Sequence, residues 1–193
     1  MEKINKLYKK AIFRFYRGLI PAYNPDVILS QIPSCGILLS IGGGTGEIES
    51  TISIRGTRVL NHDISIDMLK GCENRNLVEG VNGTAEFLPY RDSSIDYILI
   101  NESIGYMKLP ETLRESYRVL KRDGKLMINT YKPTLRNRTL KYLNPVSLNY
   151  KIYPKERFEE TIKDAGFKDI RIDEFDVQLI NSVVACFSIK ATK

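Results

Sequence analysis

Residues 36–50 read GILLSIGGGTGEIES: an apolar run, four glycines in five positions (Gly42, Gly43, Gly44 and Gly46), then helix-forming residues. Glycine loses more conformational freedom on folding than any other residue, so such a cluster marks backbone that turns through positive φ or is approached closely. Strand, glycine turn and helix in that order aim backbone N–H groups at a ligand. In an open α/β sheet that ligand lies beyond the carboxyl ends of the strands. The turn therefore constrains both the fold and the place of the site.

The rest of the chain repeats the pattern. Short apolar strands are predicted at 36–41, 57–62, 77–81, 94–100 and 124–131, with helices at 47–54, 65–76, 110–122 and 154–167. Such alternation predicts a parallel sheet with helices on both faces. Apolar runs at 168–177 and 181–191 follow, and their short connection predicts a hairpin with at least one antiparallel strand. Upstream, Ile4, Leu7, Tyr8, Ala11, Ile12, Phe15 and Leu19 fall at helical spacing, with Gly18 and Pro21 ending that segment. Residues 132–153, polar, aromatic and basic, break the rhythm and read as a lid or a long loop. We expect one domain over 1–193, with 1–33 as an N-terminal helical cap and 132–153 as an insertion over the active edge.

Composition narrows the function classes. At 42% hydrophobic and 27% charged residues the chain can bury a core and is not of disordered composition. No apolar run reaches the roughly 20 residues of a membrane span, and the first ten residues lack the apolar stretch of a signal peptide, so a cytoplasmic protein is expected. Three scattered cysteines and a single histidine, His62, argue against a disulfide framework and against a metal site. The net charge of +6 is spread along the chain and leaves nucleic acid as a less favoured partner.

The glycine turn fits two familiar patterns poorly. A dinucleotide fingerprint needs a sixth-position glycine, where Glu47 stands, and a phosphate-binding P-loop needs Gly-Lys-Ser/Thr. It resembles instead the first motif of class I S-adenosylmethionine-dependent methyltransferases, an acidic residue followed by G-x-G-x-G. Three further segments resemble that family in the same order: RVLNHDIS, GTAEFLPYRDSSIDYILI and ESYRVLKRDGKLMI. ETIKDAGFKDI looks like its usual helix-to-strand turn near the C-terminus.

The resemblance implies a Rossmann-like α/β fold: seven strands, mostly parallel, the hairpin strand antiparallel, helices on both faces. It implies S-adenosylmethionine as cofactor and S-adenosylhomocysteine as product. Gly42, Gly43, Gly44 and Gly46 would lie against the methionine and ribose parts, and Ser40 stands where the family carries its acidic residue. Asp63 would hold the ribose hydroxyls, although an aspartate at a strand end is also an ordinary turn or cap residue. Ile64 and Met68 would flank the adenine, and Thr84, Ala85 and Glu86 would meet its edge. Asn101 and Glu102 follow the fourth strand, where methyl and acceptor meet, and Tyr106 lies nearby.

Two positions depart from the pattern. Ser40 brings no charge to the first motif, a gap for Glu47 or Glu102 to fill, and Thr84 replaces a common aspartate. Methyl transfer from a sulfonium needs chiefly positioning and exclusion of water, so no catalytic triad is required. A general base is needed only where the acceptor holds a proton. Glu102 and Tyr106 are the candidates, while His62 reads better as a polar side chain at a strand end. Tyr8, Tyr16 and Tyr23 of the cap, and Tyr131, Tyr142 and Tyr150 among Lys and Arg, could reach an acceptor. A small-molecule acceptor is favoured, with resemblance to quinone-type C-methyltransferases. RNA or protein methylation, a non-catalytic module without its donor, and a nicotinamide oxidoreductase are the alternatives.

Overall fold

The computed structural model describes residues 32, 34–72, 78–135, 149–179 and 182–193. Its elements are β1 (Ile37–Ile41), α1 (Glu47–Ile54), β2 (Arg58–Asp63), α2 (Ile66–Lys70), β3 (Val78–Asn82) and β4 (Ile95–Asn101). A 3₁₀ turn (Ile104–Tyr106), α3 (Leu109–Val119), β5 (Leu120–Tyr131), α4 (Lys155–Asp164), β6 (Lys168–Leu179) and β7 (Ser182–Thr192) follow. The predicted N-terminal helix, the end of the predicted helix 65–76 and the middle of 132–153 lie outside the described residues.

The strands form one seven-stranded sheet in the order β3-β2-β1-β4-β5-β7-β6. Strands β1 to β5 pair in parallel, and β7 is inserted antiparallel between β5 and β6. The Rossmann-like expectation holds, including its single reversed strand. Strand order reverses at β1, which pairs with both β2 and β4, and the carboxyl ends of strands at such a switch point are where open α/β sheets bind ligands.

Successive residues of a strand face opposite sides of a sheet. In β4, Ile98 and Ile100 join Leu109 and Leu113 of α3 and Phe158 and Ile162 of α4, while Leu99 between them joins Ile52 of α1 on the other face. Buried on both faces, β4 carries the continuous apolar run expected of a central parallel strand.

Helix α1 occupies the predicted 47–54, whereas α2 ends early, with Ser65 as its N-cap and Gly71 as its C-cap. Helix α3 stops three residues before the predicted end, because Leu120 leaves it to pair with Ile95. Residues 83–94 form neither helix nor strand, and Arg118 of α3 fastens them. Its guanidinium donates to the carbonyls of Leu88 and Tyr90 and to Asp92, and is itself held by Glu115. These carboxylates raise the Arg118 pKa further. Among the described residues no helix is long and apolar enough to cross a membrane.

Candidate functional site

The glycine loop leaves β1 with its first N–H, that of Gly42, bonded to the His62 carbonyl at 2.6 Å. Gly42, Gly44 and Gly46 take φ of 74°, 58° and 73°, a region that L side chains rarely adopt. Asp63, at the end of β2, ties the next turn to the loop. Its Oδ2 accepts from Gly44 N at 3.0 Å and its Oδ1 from Ser65 N at 2.7 Å. Desolvation raises the Asp63 pKa, against the pull of these two N–H groups. Each carboxylate oxygen keeps a lone pair for a further donor. Ile64 beside it is 73% exposed, and the Met68 methyl lies 3.0 Å from where a Cβ on Gly44 would stand.

His62 is buried, and its Nε2 lies 3.1 Å from the Thr84 carbonyl. A carbonyl only accepts, so Nε2 carries the proton and Nδ1 is left to accept from the Tyr90 hydroxyl at 3.4 Å. Burial pushes the imidazole below its usual pKa. His62 thus braces the turn at 83–84 through both ring nitrogens. Ala85 is buried there, whereas Glu86 reaches forward and accepts from Lys108 N at 2.8 Å, capping the start of α3.

The second half of the site lies at the end of β4. Asn101 Oδ1 accepts from Asn129 Nδ2 at 3.1 Å, and Glu102 N donates to the Asn129 carbonyl at 2.8 Å. Glu102 has φ of 53°, a conformation stored at a strand end only when the surroundings hold it. Its Oε2 accepts from the Tyr131 hydroxyl at 2.9 Å. Desolvation raises its pKa, and the Tyr131 hydrogen bond opposes this. Tyr150 stands edge-on to both Tyr106 and Tyr131, with centroids 4.9 and 5.4 Å apart, and its hydroxyl shares a 2.8 Å hydrogen bond with Thr130. Tyr106, Tyr150 and Tyr131 thus form a wall of edge-on rings that ends on the Glu102 carboxylate, while Asn101 pairs with Asn129 beside it.

The two halves are joined. Ser103 Oγ donates to the Ile41 carbonyl at 2.8 Å, closing the glycine loop against the end of β4. Sequence reasoning missed Ser103 and Asn129, which hold the site without a motif of their own. It also missed Glu49, to which the buried Ser40 donates at 2.6 Å. Position 49 precedes Ile52 by one helical turn and shares its buried face of α1, a face fixed only once the helix packs on the sheet. Among the described residues no group of three His, Cys, Asp or Glu side chains could hold a metal ion.

Residues 39–128 match the Methyltransferase domain family. The chain is 31% identical over 189 residues to rice (Oryza sativa subsp. japonica) 2-methyl-6-phytyl-1,4-hydroquinone methyltransferase 1, covering 86% of this chain and 56% of that protein. It is 30% identical over 138 residues to the biotin biosynthesis bifunctional protein BioHC of Cellvibrio japonicus, covering 68% of this chain and 27% of that protein. It thus spans from about a quarter to just over half the length of these two relatives. In fold it is similar to a Thermotoga maritima SAM-dependent methyltransferase described as a possible histamine N-methyltransferase. That likeness has a TM-score of 0.79 at 21% identity and covers 100% of both chains.

Proposed function

We propose that the chain is a class I S-adenosylmethionine-dependent methyltransferase acting on a small-molecule acceptor, with Glu102 taking the acceptor's proton; the methyltransferase-domain match over residues 39–128 supports this reading. The residues present fit the donor. The loop turns through positive φ at three glycines, Asp63 keeps lone pairs for a diol, and Ile64 and Met68 offer apolar surface beside it. When bound, S-adenosylmethionine supplies a methyl group already activated by its sulfonium charge.

One observation carries the acceptor half: a carboxylate, Glu102, held by Tyr131 within a wall of tyrosines at the switch point. Burial brings its pKa upward toward the working range of a base, where proton transfer contributes most. As the acceptor's nucleophilic atom gains the methyl, its proton passes to a Glu102 oxygen. In this reading Asn101 and Tyr106 orient the acceptor, and the tyrosine rings exclude water from the reacting atoms. Relatives named for a hydroquinone substrate and for biotin biosynthesis support a small molecule.

The test incubates purified protein with S-adenosylmethionine and a panel of hydroquinones, phenols, amines and carboxylates, and reads S-adenosylhomocysteine release. We expect turnover that depends on one chemical class. Glu102→Gln should lower kcat by about a hundredfold or more while donor affinity stays within about twofold. Stimulation by RNA alone, with steep salt dependence, would replace the small-molecule reading.

A further inference from the structure

The first motif of this chain lacks its carboxylate, and the structure shows what occupies that place. Ser40, fully buried near the end of β1, donates its hydroxyl proton to Glu49 Oε1 at 2.6 Å. Glu49 comes from α1, is only 2% exposed, and sits directly beneath the glycine loop. A Cβ on Gly43 would stand 2.7 Å from Glu49 Oε1, 2.7 Å from Ser40 Oγ and 2.5 Å from Asn61 Oδ1. Three polar atoms thus crowd the underside of one glycine. Asn61 also holds the loop through Nδ2, which donates to the Gly44 carbonyl at 3.0 Å, while its buried Oδ1 has no partner.

We propose that Glu49, held by Ser40 under the glycine loop, supplies the negative charge that the end of β1 lacks and favours the sulfonium donor over its neutral thioether product. Glu49 touches neither solvent nor ligand. It is a positioning residue, acting through the loop it supports and through its field in a poorly screened interior. The proposal rests on the methyltransferase reading and refines its donor side. It also replaces Glu47 and Glu102 as the groups expected to fill the gap.

The groups acting on Glu49 are Ser40 from β1, Asn61 and Asp63 from β2, and Glu47 from its own helix. Among the described residues none of these is a cation. Burial, then the Asp63 and Glu47 charges, push the Glu49 pKa up to about 7 against the Ser40 hydrogen bond. The carboxyl is therefore divided between two forms at neutral pH. In its protonated form it carries a hydrogen into the space that the partnerless Asn61 Oδ1 also faces. A sulfonium above the loop favours the ionised form and expels that proton; a thioether does not.

Calorimetry of S-adenosylmethionine and S-adenosylhomocysteine binding at pH 6 and pH 8, in two buffers of different ionisation enthalpy, tests this. For the wild type we expect the donor-to-product affinity ratio to rise by about three- to tenfold between the two pH values, with proton release on donor binding alone. In Glu49→Gln, an isostere that keeps the Ser40 hydrogen bond, the ratio should be low and flat. Equal weakening of both ligands with an unchanged pH profile would reduce Glu49 to packing and overturn the proposal.

A ligand-free arm accompanies it. Ser40→Asp places two carboxylates in one buried space and should lower Tm, and the exchange Ser40→Asp/Glu49→Ser should restore both Tm and the affinity ratio. Tighter donor binding by Ser40→Asp alone would mean the site is under-charged and the proposal wrong. Wild-type protein that binds neither ligand would overturn the donor reading itself, an outcome distinct from a ratio that ignores Glu49.

Discussion

Asp63 ties the glycine loop to the β2–α2 turn with one carboxylate, and in the proposed function its remaining lone pairs hold the donor's diol. Replacing it with alanine removes both, so Asp63→Ala should weaken S-adenosylmethionine binding by about tenfold or more, as loss of a charge-assisted hydrogen bond implies. Calorimetry checks the affinity, and an unchanged circular dichroism spectrum checks that the fold survives. Asp63 was legible in the sequence because a strand end and a fixed offset from the glycines pick it out. Glu49 was not. Glu47 and Glu49 differ by two positions on one helix, and only the direction of α1 against the sheet decides which is buried. Ser103 and Asn129 were hidden for a related reason: each acts on a backbone carbonyl or side chain supplied by another strand.

Elements with strong internal periodicity were read correctly, and those ended by distant partners were not. Helix α1 runs as predicted because its start follows a glycine turn and its end precedes Gly56. Helix α3 stops early because Leu120 finds a strand partner in Ile95, a pairing that local pattern does not contain. Arg118, one residue before the end of α3, shows what such an element contributes to the site. Its planar fork reaches two carbonyls and two carboxylates at once, a geometry that a lysine ammonium does not reproduce. Arg118→Lys should cost about 1–3 kcal/mol of stability, measured by urea unfolding. It should also raise amide exchange in residues 84–92 before the central strands are affected.

For the whole molecule, two buried groups pull the pH dependence of stability in opposite directions. Glu49 binds its proton more tightly when folded, so its contribution is complete below pH 4.5 and is lost as pH rises through about 7. His62 binds its proton less tightly when folded, so its contribution is complete above its ordinary pKa of 6.5 and is lost as pH falls below it. Glu49→Gln removes the first effect. Its unfolding free energy relative to wild type, measured by urea unfolding, should therefore rise from pH 5 to pH 8, by an amount on the order of a few kcal/mol at most. A flat difference would mean that Glu49 does not titrate in this range. The architecture itself was legible at this scale, since alternating strands and helices leave few topologies, and the reversed β7 followed from one short connection. The tyrosine wall was visible only as scattered residues, because its members come from the turn after β4, from β5 and from the segment before α4. That wall has an optical consequence. The chain contains eleven tyrosines and no tryptophan, so tyrosine emission has no indole acceptor to drain it. Tyr131, whose hydroxyl is bonded to a carboxylate, should therefore emit weakly in the free protein, which a fluorescence titration checks. An acceptor that takes up Glu102 would brighten it, and the site would announce its own ligand without a label.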